Sequence, residues 1–180
     1  MKRYRRFGAM LVMLAVLCIA SCGTTVGGMS KENPLEFLKG QIRLEGILEM
    51  GEKEYGVCLQ AADAENVTVT FTSPESMEGY VFEKAKDGFY VSYKDLRVPL
   101  RQSTIPGGAG SLLNLLSLDG MDFEKREEKA NGMQLLVYTF PDIDGAKVKL
   151  YLKKNDLTPL RIEFDLEGTS AVFHIQKAEY

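Results

Sequence analysis

The scarcest reactive side chains of this 180-residue chain are three cysteines, Cys18, Cys22 and Cys58, and one histidine, His174. A hydrolytic triad would need His174 as its base beside a serine on a G-x-S-x-G turn, and the sequence holds no such turn. His174 stands between Phe173 and Ile175, which places it with Val172 and Gln176 on the outward face of a strand. Neither H-E-x-x-H nor a Cys/His set at ligand spacing occurs, so no metal site and no cofactor are expected. Gly107-Gly108-Ala109-Gly110 precedes an apolar run as an anion cradle would, but no Lys-Ser/Thr follows and no βαβ unit surrounds it. Glu163 and Asp165 share one strand face with Arg161, which reads as solvated surface and not as the opposed carboxylates of a glycosidase. The charged run Glu124–Lys129 reads the same way, and Asn66-Val67-Thr68 matches a glycosylation acceptor by chance. No enzyme is expected.

The cysteines have separate expected fates. Cys58 sits in the strand-like run Tyr55-Gly56-Val57-Cys58-Leu59 and reads as a small buried residue. Cys22 ends the stretch Leu17-Cys18-Ile19-Ala20-Ser21-Cys22, after a basic segment (Lys2, Arg3, Arg5, Arg6) and an apolar one from Phe7 to Ala20. Fourteen apolar-segment residues suit a secretory signal. A permanent membrane span would need roughly twenty. Small residues directly before a cysteine resemble a bacterial lipoprotein signal, the lipobox. The other reading is an ordinary signal peptide with an incidental cysteine. The resemblance implies that residues 1–21 are removed and that Cys22 carries a diacylglyceryl thioether, with or without a further acyl chain of the palmitate kind. Stable anchoring takes two or more such chains. The protein would then be extracytoplasmic and lipid-anchored to a bacterial membrane, with residues 22–32, including Gly23 to Ser30, as a flexible tether. Cys58 would be the one thiol left, so no intramolecular disulfide would form.

About 159 residues follow the signal, a length that suits one domain, residues 33–180. The chain has 22 basic and 25 acidic residues; without the four basic residues of the signal its net charge is about −7. Such a surface repels nucleic acid and gains no electrostatic pull toward anionic headgroups, so membrane attachment is expected to depend on the lipid on Cys22 and not on a basic patch.

Asn33-Pro34-Leu35-Glu36 carries helix-start signals, and a short helix is expected to end at Gly40. From Gln41 the period becomes two. Ile42, Leu44, Leu48 and Met50 alternate with polar residues, although Gly46 and Ile47 blur the middle, and Val67, Val69 and Phe71 alternate cleanly. Asp87-Gly88 and Asn131-Gly132 mark hairpin turns. Between the hairpins, Ile105–Gly110 reads as irregular and Ser111–Ser117 as a short, very apolar helix. The pattern predicts a mainly β fold: a strongly bent antiparallel sheet or incomplete β-barrel of about ten or eleven strands, with two or three short helices inside it or across its mouth.

The order of these elements resembles the LolA-like lipoprotein-carrier superfamily. It is carried by an N-terminal helix leading into a strand meander, the Val67 to Gly79 strand and turn, a Gly-Phe-Tyr-Val strand, the mid-chain apolar helix and closing hairpins with Thr158-Pro159-Leu160-Arg161-Ile162. The resemblance implies an incomplete barrel wrapped round helices. Shuttling carriers of that family are soluble, so the anchor makes this chain more like the membrane-anchored members.

Leu112, Leu113, Leu115, Leu116 and Leu118 make a segment apolar nearly all round, which has to be buried. Val69, Phe71, Phe89, Val91, Leu136, Tyr138, Leu150, Ile162 and Phe164 would face Leu112, Leu115 and Leu116 from the sheet. These residues form either a filled core or the lining of a cleft for acyl chains, and sequence alone does not separate the two. Ile105, Pro106, Gly107 and Gly108 read as the lid of such a cleft or as a plain surface loop. Two functions follow: an envelope protein holding a lipid, acyl chain or other apolar ligand, or an interaction or sensor module with a filled core that docks an envelope protein partner, for example by strand addition to an open sheet edge.

Overall fold

Alternation of apolar and polar residues builds almost every element. The computed structural model describes residues 41–143, 146–166 and 168–180. The expected signal 1–21, Cys22, the tether to residue 32 and the helix expected from Asn33 to Gly40 lie outside the described residues. The chain divides into two units, Met1–Glu32 and Asn33–Tyr180, and all described residues belong to the second.

Six strands come first: β1 (Ile42–Met50), β2 (Lys53–Asp63), β3 (Asn66–Ser73), β4 (Val81–Ala85), β5 (Gly88–Tyr93) and β6 (Leu96–Leu100). Five follow a crossover: β7 (Glu124–Ala130), β8 (Met133–Ile143), β9 (Ala146–Lys153), β10 (Pro159–Leu166) and β11 (Thr169–Glu179). All pairings are antiparallel, and the sheet order is β6-β5-β4-β3-β2-β1-β11-β10-β9-β8-β7. Two meanders are therefore joined through the first and last strands, and β6 and β7 are left as the edges of an eleven-stranded sheet that does not close. The expected half-barrel is present.

Turn chemistry sets the local registers. Asn131 and Gly132 both adopt positive φ (50° and 78°), as the Asn-Gly hairpin requires. At the β2–β3 turn the Asp63 carboxylate accepts from the Asn66 side chain and from the Glu65 and Asn66 backbone N–H groups. These bonds, the Asn66 side-chain one first, hold its pKa below the usual carboxylate range. In the centre, the β1–β11 register shifts between Glu45 and Gly46. There the β11 backbone passes so close that a Cβ on Gly46 would overlap the His174 carbonyl oxygen.

The crossover carries the helical structure: a 3₁₀ turn (Gln102–Thr104), the helix α1 (Gly107–Leu113) and a second 3₁₀ turn (Leu115–Leu118). This corrects the expectation for Ile105–Gly110. The helix begins at Gly107, four residues before the expected start, and the leucine-rich part ends in 3₁₀ geometry. Glycine is a poor helix former, but here its missing side chain lets the helix approach the sheet. A Cβ on Gly107 would stand 2.8 Å from Leu166 Cδ1, and one on Gly108 2.7 Å from Met50 Sδ and 3.2 Å from Ala171 Cβ. Tertiary packing outweighs local propensity. α1 lies against β3, β4, β10 and β11, on the concave side.

One large core fills that concave side, with Leu44, Leu48, Leu59, Leu113 and Phe173 among its fully buried members. A small second cluster, Leu135, Val137 and Tyr151 with Leu160, lies apart from it. Since Leu136 and Tyr138 face the core, Leu135 and Val137 face the convex side, where the Arg161 guanidinium covers the Tyr151 ring at 4.0 Å.

Candidate functional site

The expected cleft-lining residues come together, all on the concave side. Val69, Phe71, Leu112, Leu115, Leu116, Leu136, Tyr138, Leu150, Ile162 and Phe164 are buried members of the main core, and Phe89 and Val91 pack half-buried against it. Val69, Leu112, Leu150 and Ile162 have no exposed surface at all. Aromatic edges lock this interior: Phe71 meets Tyr55 and Phe82 at centroid distances of 5.5 and 5.6 Å, and Phe123 meets Tyr138 at 5.4 Å. Most of these side chains thus pack against each other.

Open space lies on the other face of the helix. A hollow of about 620 Å³ lies beside α1 and its flanking turns, where Ala146 and Val148 of β9 and Leu166 of β10 face them. On the helical side it is lined by Gly107, Gly110, Ser111, Asn114, Leu115 and Leu118, which recur at spacings of three and four and so form one stripe. Ala146, Val148 and Leu166 form the opposite wall, Gln102 and Ser103 the rim, and Ile105 closes one end. The floor is apolar and the rim polar and uncharged among these residues. Of the expected site residues, Ile105, Gly107 and Leu115 line it, as does Leu118 of the expected apolar segment; Gln102, Ser103, Asn114, Ala146, Val148 and Leu166 were not anticipated. The signal for them was present in the polar interruptions Ser111 and Asn114 within the leucine run, one helical face apart from Leu112 and Leu113.

The expected lid is anchored at both ends. The Ile105 side chain is buried, Pro106 and Gly107 are exposed, and Gly108 is buried against the sheet. Thr104 Oγ1 donates to the Arg101 carbonyl at 2.7 Å and Ser111 Oγ to that of Gly107 at 2.9 Å. A second hollow, about 530 Å³, opens at the end of the sheet beside Ile42, Ala61, Val67 and Lys84.

Reactive groups lie away from the helix-side hollow. His174 faces the convex side with Nε2 3.2 Å from Glu49 Oε1. The Cys58 thiol is buried, and burial raises its pKa, which keeps it in the unreactive thiol form. Glu163 gathers Arg161 at 2.9 Å, Lys149 at 3.6 Å and the Tyr151 hydroxyl, which donates at 2.9 Å. No cluster of three or more His, Cys, Asp or Glu that could hold a metal ion occurs among the described residues. No helix among them is long and apolar enough to cross a membrane.

No protein-family model and no curated protein matches the sequence. Solved structures do resemble the fold. A DUF1329 family protein from Desulfovibrio piger aligns with a TM-score of 0.51 at 13% identity, covering 82% of this chain and 88% of that one. An uncharacterized conserved protein from Thermus thermophilus aligns at 0.50 and 16% identity, covering 81% of each chain. A LolA superfamily protein from Nitrosomonas europaea aligns at 0.43 and 16% identity, over 77% of this chain and 84% of that chain. The fold, an open antiparallel sheet bent round a helical crossover, resembles those of the Desulfovibrio piger and Thermus thermophilus proteins.

Proposed function

We propose that the protein is a non-enzymatic binding protein of the bacterial envelope, anchored through a lipid on Cys22, which holds a lipid or acyl chain in the hollow between α1 and β9–β10. One observation carries this reading: about 620 Å³ of space with an apolar floor of Leu115, Leu118 and Val148 beneath a polar, uncharged rim of Gln102, Ser103 and Asn114. That volume lies inside the range of about 300–1,000 Å³ typical of small-molecule sites. Each methylene buried there contributes about 0.8 kcal/mol. An incomplete barrel leaves such a cleft by construction, because its two edges never meet.

A second reading, a protein-interaction module, is favoured by the packing of the anticipated lining residues into a filled core. Strand addition at the edges counts against it. Pro99 brings no N–H to β6, and β7 is a short, exposed strand of mixed charge, Glu124–Ala130.

Native mass spectrometry of the full chain purified from membranes, before and after organic extraction, tests the proposal. The expected result is a covalent diacylglyceryl mass that persists and a discrete non-covalent mass that extraction removes. A chain without the covalent mass would overturn the anchor. One that stays bare after incubation with envelope lipids would overturn the ligand site and leave the interaction reading.

A further inference from the structure

The two most exposed large apolar side chains on any described strand are neighbours on β6: Leu96 is 70% exposed and Val98 49%. They face the concave side, since their row partners are Tyr93 and Val91, and Val91 packs on the core. Phe89, Tyr93 and Leu100 extend the same face and are only half-buried. The wing β5–β6 therefore presents a continuous apolar strip beyond the part of the sheet that α1 covers. Apolar strips of this kind on a folded domain mark contact sites.

Two observations say what it contacts. The first is charge. From Val81 to Arg101 the chain has five basic and three acidic residues, although the whole chain is net negative. Lys86, Lys94 and Arg101 are exposed at the ends of β5 and β6, and make no ion pair among the described residues. Arg97 is clamped by Glu83 at 2.9 Å and stacked on Tyr90. Aromatic and aliphatic side chains with lysine and arginine at their margin suit a bilayer interface with anionic headgroups. The second is where the chain enters. Ile42, Ala61, Val67, Lys84, Phe89 and Leu100 form one cross-strand row. The segment that leads from Cys22 thus joins the sheet at the end where Arg101 and Lys86 lie, twenty residues after the cysteine. Twenty extended residues reach up to about 66 Å.

We propose that the concave-side strip of β5–β6, centred on Leu96 and Val98 and margined by Lys86, Lys94 and Arg101, lies on the anionic surface of the bilayer that carries the anchor. The inference rests on the anchored reading of Cys22 but not on ligand binding in the hollow. It makes the lipid and the wing two contacts of one docked orientation.

The chain has no tryptophan, so a single introduced one is a clean reporter. Val98→Trp, and separately Leu96→Trp, are prepared in the full chain and reconstituted into phosphatidylethanolamine–phosphatidylglycerol vesicles, with Thr70→Trp on the convex side as reference. Expected are a blue-shifted emission and severalfold stronger quenching by brominated acyl chains at 96 and 98 than at 70. The quenching should fall in phosphatidylcholine vesicles and when Lys86, Lys94 and Arg101 are all changed to Gln. No quenching at 96 and 98, or equal quenching at 70, overturns the proposal. A blue shift without bromolipid quenching overturns it too, by showing a protein partner or second copy on the strip. Flotation in the same samples reads the anchor independently: chains that float yet show no quenching keep the anchor and lose the wing. If chains do not float, the anchor fails, and quenching after vesicles are added still judges the wing.

Discussion

At the scale of single residues, space decides more than chemistry. Gly46 blurs the alternation of β1 in the sequence because it carries no side chain, and the same absence lets β11 cross at the register shift. A methyl there would meet a backbone carbonyl, which cannot turn aside as a side chain can. Gly46→Ala is expected to cost about 3 kcal/mol. Urea unfolding would show this as a lower midpoint at unchanged slope, and an unchanged midpoint would mean the strands separate there at no cost. The burial of Cys58 was legible from its place in the apolar run Tyr55–Leu59, although its row partners Glu45 and Thr70 put it on the face away from the main core. The need for Gly46 was not, because its clash is with a residue 128 positions away in the chain, across a pairing with no local signature.

At the scale of elements, α1 has two faces with separate duties. Leu112 and Leu113 enter the core, while Gly107, Gly110, Ser111 and Asn114 border the hollow. Leu112→Ala is expected to remove about 3 kcal/mol of stability and leave the extractable ligand mass in place. Asn114→Trp should do the reverse, filling the hollow and abolishing that mass with the thermal midpoint little changed. If Asn114→Trp keeps the ligand, the hollow is not its seat. The strands were legible because a period of two survives any tertiary arrangement. The helix start was not, because propensity scores Gly107 and Gly108 as breakers, and only contact with Leu166, Met50 and Ala171 explains them. The anticipated lining residues lie together and mostly pack as core, and the sequence left core and cleft open because a buried wall and a filled interior require the same apolar residues.

At the scale of the whole molecule, the sheet remains open and its edges are guarded. β6 is five residues long and contains Pro99, and β7 is exposed and carries both acids and bases. Pro99→Thr restores an N–H to β6 beside the exposed Leu96 and Val98. It is expected to produce concentration-dependent dimers or larger species on light-scattering chromatography, where the parent chain stays monodisperse. An unchanged profile would mean that Pro99 is not what protects the edge. An open, bent sheet with helical structure across it was legible from the strand count and the one apolar interruption. The order of strands was not. A continuous meander and two meanders spliced at β1 and β11 have the same local pattern.

That splice has a consequence in time. The centre of the sheet is the pairing of β1 with β11, so during synthesis β1 has no β11 beside it until β11 itself emerges. Each meander alone exposes the strand that the other should cover, and closing the longest loop comes late. The ladder therefore closes only after β11 has been made. If residues 1–21 are removed as the export signal proposed for them, such lateness is an asset: the polypeptide would reach the translocation machinery still threadable, and set into its final shape only on the far side.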